Sequence, residues 1–78
     1  MHSMDNAPRF TRDPDNRVTD SVSGLCTAPL TPEAAALLVK SGNAANAMMR
    51  ATGSVGSTYE DGGYRVAVDR YTFHVTEV

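Results

Sequence analysis

The sequence is poor in the residues that stabilise very small folds. It has one cysteine, Cys26, so no disulfide forms within the chain and a cysteine-rich zinc site is excluded. Tryptophan and isoleucine are absent, and leucine, isoleucine, valine and phenylalanine make up about 18% of the chain, near the level of ~20% typical of disorder. A net charge of −2 over 78 residues is too small to unfold the whole chain. We therefore expect a single domain in which one part folds and another stays flexible.

Long apolar runs are also missing. No window approaches the ~18 consecutive apolar residues that a membrane-spanning helix requires. Residues 1–11 are polar and lack the apolar core of a secretory signal peptide. We expect a cytoplasmic protein, in the host cytoplasm if a phage encodes it, with no membrane association.

Residues 1–29 differ in character from the rest of the chain. They contain three prolines, with arginines and aspartates interleaved, and few apolar residues in no helical period. Such a segment buries too little surface to offset the entropy of ordering it. The composition predicts a flexible N-terminal arm, with a short extended piece at residues 18–22.

A helix begins after residue 30. Thr31 is a suitable N-cap, Pro32 suits the first helical position, and Glu33 suits the positive first turn. Gly42 leaves open whether two short helices or one helix of about twenty residues follows, ending at Gly53. An apolar stripe at helical spacing favours one helix. This stripe consists of Ala34, Leu38, Ser41, Ala45 and Met48 or Met49.

Two turns are predicted in the C-terminal third. Asp61-Gly62 indicates a type I′ hairpin, and a weaker turn follows at Asp69-Arg70. The predicted pairs are Tyr59 with Tyr64 and Ser57 with Val66, then Val68 with Tyr71 and Val66 with Phe73. The predicted apolar face carries Val55, Tyr59, Tyr64, Val66, Val68, Tyr71, Phe73 and Val75. The fold class is therefore α+β: residues 30–78 form one helix, continuous or broken near Gly42, followed by a three-stranded antiparallel β-meander.

No catalytic, cofactor or metal constellation is evident. Cys26 and His74 show no local arrangement of nucleophile and base, and with His2 they lack zinc-ligand spacing. Residues 13–16 lack the central glycine and later ligands of a calcium loop. Residues 53–57 lack the lysine and the following helix of a phosphate loop. We predict a protein that is not an enzyme and binds neither cofactor nor metal.

Two surfaces are candidates for binding a partner. The first is the polar sheet face with its turn, comprising Arg65, Arg70, Thr72 and His74. The second is the arm, where an aromatic residue and arginines suit an anchoring role: Phe10, Arg9, Arg12 and Arg17. Because so small a folding unit is marginal alone and its edge strands are free to pair, we expect a protein partner or a homo-oligomer.

The leading hypothesis is a small, non-catalytic protein-binding module. It would be an accessory or inhibitory protein of bacterial or phage type that occupies a surface of a larger protein or assembly. A structural subunit of a virion or coat-like assembly and a small nucleic-acid-binding regulator are the alternatives. Net acidity disfavours the last, because affinity for nucleic acid comes mainly from neutralising phosphates.

Overall fold

A computed structural model of the chain describes residues 8–78. Its elements are β1 (Phe10–Arg12), β2 (Val18–Asp20), α1 (Pro32–Thr52), β3 (Gly56–Asp61), β4 (Tyr64–Asp69) and β5 (Phe73–Glu77). Strands β3, β4 and β5 form an antiparallel sheet in that order, and β1 and β2 form a small antiparallel pair. The predicted α+β class, with one helix followed by a three-stranded antiparallel meander, is confirmed.

The helix α1 is continuous. The Thr31 hydroxyl accepts a hydrogen bond from the Ala34 N–H at 3.1 Å, and Gly53 ends the helix with a left-handed φ of 75°. Gly42 is buried inside the helix, where a β-carbon would stand 2.8 Å from Cδ2 of Phe10. The missing side chain therefore lets β1 approach the helix, which explains a residue that costs about 1 kcal/mol in helix propensity.

The first turn of the meander lies one residue later than predicted. Gly62 and Gly63 have φ of 57° and 86°, so both central positions of the turn have the positive φ that type I′ geometry requires. Tyr59 consequently pairs with Val66 rather than with Tyr64. A register shift of two residues leaves the side chains of β3 and β4 on their predicted faces.

The second turn is also one residue later, because Asp69 closes it. Its carboxylate accepts the backbone N–H groups of Tyr71 and Thr72, each at 2.8 Å, and these bonds lower the pKa of Asp69. Val68 therefore pairs with Phe73 rather than with Tyr71. Tyr71 is 77% exposed and does not join the core.

The core lies between α1, the sheet and the β1–β2 pair. The rings of Phe10 and Phe73 meet edge to face, with centroids 5.3 Å apart and planes at 78°. Val55, predicted on the apolar face, is exposed. The buried cluster comprises Phe10, Val18, Ala35, Leu38, Met49, Val66, Val68 and Phe73.

The structure differs from the predicted arm within residues 8–29. Phe10 and Val18 are only 2% and 1% exposed, so the β1–β2 pair packs into the same core as the helix and the sheet. Sparse apolar content does not prevent this, because the two buried side chains and a buried ion pair between Arg9 and Asp20 help to dock the segment. Residues 1–7, the remainder of the predicted arm, lie outside the described residues.

The chain after β2 turns back along that strand. The Gly24 N–H donates to the carbonyl of Asp20 at 2.8 Å, and the Thr27 N–H donates to the carbonyl of Val18 at 3.0 Å. Cys26 forms an isolated antiparallel bridge with Thr19. This return carries residues 25–30 past β2 toward the start of α1.

Candidate functional site

A buried ion pair joins the β1–β2 pair to the rest of the fold. Arg9 Nε and Nη2 donate to the two carboxylate oxygens of Asp20 at 2.8 and 3.0 Å, and the side chains are 3% and 0% exposed. Arg9 Nη1 donates to the Asp69 carbonyl at 2.7 Å and to Asn46 Oδ1 at 3.3 Å. Nη2 also donates to the Thr72 carbonyl at 3.4 Å. All five guanidinium N–H groups therefore have an acceptor.

Asp20 remains ionised in this pair. Burial by itself raises the pKa of the carboxyl, but hydrogen bonds from Arg9, the Val22 N–H and the Ser23 hydroxyl outweigh it and lower the pKa. The bonds from Val22 and Ser23 each measure 2.9 Å. The charge of Arg9 is thus neutralised locally, and the guanidinium is held in one position.

Helix α1 also binds the backbone of β1. The Phe10 N–H donates to Asn43 Oδ1 at 2.8 Å, and Asn43 Nδ2 donates back to the Phe10 carbonyl at 3.0 Å. Asn43 thereby satisfies both polar groups of a buried residue. Asn46 accepts a hydrogen bond from Arg9, so two asparagines of α1 hold the segment that was predicted to be flexible.

A groove of about 510 Å³ opens beside the ion pair. We call it the basic groove, because three arginines and no acidic side chain line it. Arg50 makes no hydrogen bond or ion pair within residues 8–78, and Arg70 donates Nε and Nη2 to the carbonyls of Ser54 and Gly53 at 3.2 and 2.9 Å. The lining consists of Arg9, Ser21, Val22, Asn46, Met49, Arg50 and Arg70.

A second groove, of about 370 Å³, runs along β5. We call it the edge groove. Residues 25–30 form one wall, with Leu25 51% exposed, and β5 forms the other. The lining consists of Leu25, Cys26, Thr27, Ala28, Leu30, Tyr64, Phe73, His74 and Val75. Its surface is mainly apolar, and its side-chain polar groups belong to Cys26, Thr27, Tyr64 and His74.

In the part of the chain that the structure describes, the backbone of β5 is unpaired on the side away from β4. Bonds from the Asp69 N–H to the Thr72 carbonyl and from the Val78 N–H to the Gly63 carbonyl show that even-numbered residues of this segment face β4. Alternation along an antiparallel strand then turns the N–H and C=O groups of residues 73, 75 and 77 outward. β5 is the last strand of its sheet, so these groups form a free edge.

The four residues predicted on the sheet face do not form one cluster. Arg65 and His74 are exposed on strands of the sheet, and Arg65 is held by an exposed ion pair with Glu60 at 2.9 Å. Arg70 lies at the opposite end of β4, five residues or about 17 Å away along an extended chain. Thr72 is half-buried in the turn, where its carbonyl accepts a hydrogen bond from Nη2 of Arg9.

The predicted arm residues divide into two buried and two accessible ones. Phe10 and Arg9 are buried, Phe10 in the core cluster and Arg9 in its pair with Asp20. Arg12 is exposed and donates to the Pro32 carbonyl at 3.3 Å, and Arg17 is half-buried. Arg9 and Phe10 are buried because the Phe10 ring packs in the core and the Arg9 guanidinium pairs with Asp20.

Sequence reasoning missed the partners of Arg9. Asp20 stands among several aspartates that alternate with arginines, and no local signal selects it. Asn43 and Asn46, by contrast, are three residues apart on a helix and follow a helical glycine. Polar side chains on one face beside Gly42 are a signal that another backbone segment approaches there.

No group of three or more His, Cys, Asp or Glu side chains that could hold a metal ion occurs within residues 8–78. His2, considered with Cys26 and His74 as a zinc ligand, lies outside the described residues. In the same part of the chain, no helix combines the length and the apolar character needed to cross a membrane.

Comparison of the chain with protein-family models, curated proteins and solved structures gives no match. The surfaces that bear on function are the two grooves and the free edge of β5.

Proposed function

We propose that this chain is a small, non-catalytic protein-binding module that takes an extended segment of a partner onto the free edge of β5. In this proposal it is an accessory or inhibitory protein of bacterial or phage type that occupies a surface of a larger protein or assembly. The observation that carries the proposal is the outward-facing backbone of residues 73, 75 and 77 beside the apolar edge groove.

An unpaired strand edge is a template for another strand. A partner segment running along β5 would exchange hydrogen bonds with Phe73, Val75 and Glu77, because these residues face away from β4. Every second side chain of that segment would point into the edge groove, against Leu25 and Leu30. Backbone bonds would supply affinity, and the apolar groove would select the side chains.

The other edge of the sheet is less suited to the same role. On β3 the outward groups belong to Gly56, Thr58 and Glu60, by the same alternation from the register with β4. Glycine weakens a strand, and charged side chains protect an edge from pairing. The Glu60–Arg65 ion pair lies on this side. We therefore place the partner on β5.

Two matched proline variants test this placement. Val75→Pro removes an N–H that faces outward, so the bonds between β4 and β5 remain and the fold is retained. Thr58→Pro removes the corresponding outward N–H on β3 and is the control. Circular dichroism first shows whether the tagged full chain and both variants are folded. Each is then used to capture proteins from a source-organism lysate, and mass spectrometry identifies what is captured.

We expect one stoichiometric partner that the wild-type chain and Thr58→Pro retain and Val75→Pro loses. Equal capture by Val75→Pro would exclude binding at the β5 edge. Recovery of the bait alone with all three proteins would overturn the proposal and favour a self-assembling structural subunit. A partner that is released by nuclease treatment would instead favour a nucleic-acid-binding regulator.

A further inference from the structure

The basic groove has guanidinium groups that the fold does not use. Arg50 has no acceptor within residues 8–78, and Nη1 of Arg70 retains both of its hydrogens because only Nε and Nη2 meet carbonyl groups. Arg9 is different, since all five of its donors are occupied. The free donors of the groove therefore belong to Arg50 and Arg70, while Arg9 forms a fixed wall.

The groove is positive although the chain as a whole is acidic. Asp20, the acidic side chain paired with Arg9, is fully buried and neutralises that arginine. The Asp69 carboxylate is bonded to two backbone N–H groups of its own turn. Within residues 8–78, Arg50 and Arg70 thus have no acidic partner, although the net charge of the protein is −2.

The shape and chemistry of the groove favour a carboxylate on a peptide. A guanidinium matches a carboxylate in two parallel hydrogen bonds, and Ser21 and Asn46 offer further polar contacts. Val22 and the buried Met49 give the same groove apolar surface for the carbon atoms of an acidic side chain. A nucleic acid would need more phosphate contacts than two free arginines supply, and the net negative charge opposes it.

We propose that the basic groove binds acidic side chains of a protein partner, an inference that rests on the proposed protein-binding function. The partner segment would carry aspartate or glutamate where it passes the end of α1 and the β4–β5 turn. Arg50 and Arg70 bind the carboxylate. Arg9, which its buried pair holds in place, forms the side of the groove against which the carboxylate lies.

The test uses the isotope-labelled full chain and nuclear magnetic resonance titration. The probe is a short blocked peptide of alternating Glu and Ala, and its control is the same peptide with Gln for Glu. We expect the acidic peptide alone to shift the signals of the Ser21 amide, the Asn46 side-chain amide and the Nε–H groups of Arg50 and Arg70. Arg50→Gln should weaken this binding roughly tenfold, the loss of a charge-assisted contact.

Lys40→Gln is the matched control, because it removes one positive charge from an exposed residue of α1 that does not line the groove. Its affinity should stay within about twofold of wild type, since long-range charge effects are screened at physiological salt. Absence of shifts at the groove, or equal shifts with the Gln peptide, would overturn the proposal. Equal affinity for inorganic phosphate, or tighter binding of a single-stranded oligonucleotide, would overturn the assignment to acidic peptide.

Lysate capture with Val75→Pro and Arg50→Gln distinguishes a failure of acidic-peptide binding at the basic groove from a failure of partner binding at β5. A lysate partner that Val75→Pro loses but Arg50→Gln retains at wild-type strength would leave binding at β5 intact and overturn the role of the groove. A partner lost with both variants and retained by Lys40→Gln would support both surfaces.

Discussion

Arg9 and Asp20 connect three parts of the chain through one guanidinium group. The arginine bonds to Asp20 of β2, to Asn46 of α1 and to the carbonyls of Asp69 and Thr72 beside the β4–β5 turn. A buried pair of this kind adds little stability relative to apolar residues of the same volume. Breaking it is costly, because one charge is then left buried without compensation.

Asp20→Asn should lower the free energy of unfolding at pH 7 by about 3–5 kcal/mol, the typical cost of leaving one buried charge unpaired. Urea unfolding followed by circular dichroism measures this loss. Asp15→Asn is the control, since that residue is exposed, and it should change stability by less than about 0.5 kcal/mol. An Asp20→Asn midpoint equal to that of wild type would show that the pair does not hold the segment.

The lowered pKa of Asp20 also makes the stability of the fold depend on pH. Its folded pKa lies below the unfolded value, so its contribution is fully present above the unfolded pKa of about 3.9 and is lost as the pH falls through the folded pKa. The urea midpoint of the wild-type chain should therefore fall on acidification below about pH 4, the region where this carboxyl gains its proton. Asp20→Asn should remove part of that fall.

At the scale of elements, the β3–β4 turn shows what local chemistry predicts and what packing adds. Positive φ at two successive glycines produces the type I′ turn. The same turn contacts α1: a β-carbon on Gly62 would stand 3.2 Å from Cα of Ala34. Ser41 of α1 also donates a hydrogen bond to Asp61, which ends β3. The hairpin is therefore attached to the helix at its turn.

Gly62→Ala and Gly63→Ala form a matched pair that separates these two effects. Both put a β-carbon on a residue with positive φ, which costs about 1–2 kcal/mol. At Gly63 nothing lies within 4 Å of that atom, whereas at Gly62 the backbone of α1 must move. Urea unfolding should show a larger loss for Gly62→Ala. Equal losses would mean that the turn does not contact the helix in solution.

The register of the sheet was predictable only to within two residues. Alternation places apolar side chains on one face, and that part of the prediction holds for Tyr59, Val66, Val68 and Phe73. The turn position does not follow from alternation, because two candidate turns that differ by a two-residue shift in pairing leave the same side chains inside. The Asp69 carboxylate and the Gly62-Gly63 pair decide it.

For the whole molecule, the buried core is built from both sides of residue 29. Phe10 and Val18 pack with Leu38, Val66 and Phe73, and the Arg9 network crosses the same boundary. Domains of this size bury a smaller fraction of their unfolded surface than larger domains do, and they have little stability to lose. Residues 30–78 supply most of the buried cluster, but they lose Phe10 and Val18 from it when residues 8–29 are removed.

We expect the fragment 30–78 to show no cooperative thermal transition by circular dichroism. Adding a synthetic peptide of residues 8–29 should restore one, because the peptide supplies Phe10, Val18 and the Arg9–Asp20 pair. The same peptide with Phe10→Ala is the control and should restore far less. Cooperative folding of 30–78 alone would contradict the shared core and support a separate arm.

The sequence by itself determined the features that neighbouring residues set. Thr31 and Gly53 bound the helix through cap geometry, and these local signals are confirmed. The hairpin turn was predicted at Asp61-Gly62, one residue early, because Gly62 and Gly63 occupy its central positions. Only the tertiary structure decided that Arg9 pairs with Asp20, that Gly42 admits Phe10, and that β5 is left with a free edge beside residues 25–30. These depend on segments far apart in the chain, whose contacts are selected by shape, burial and charge compensation rather than by any pattern within one segment.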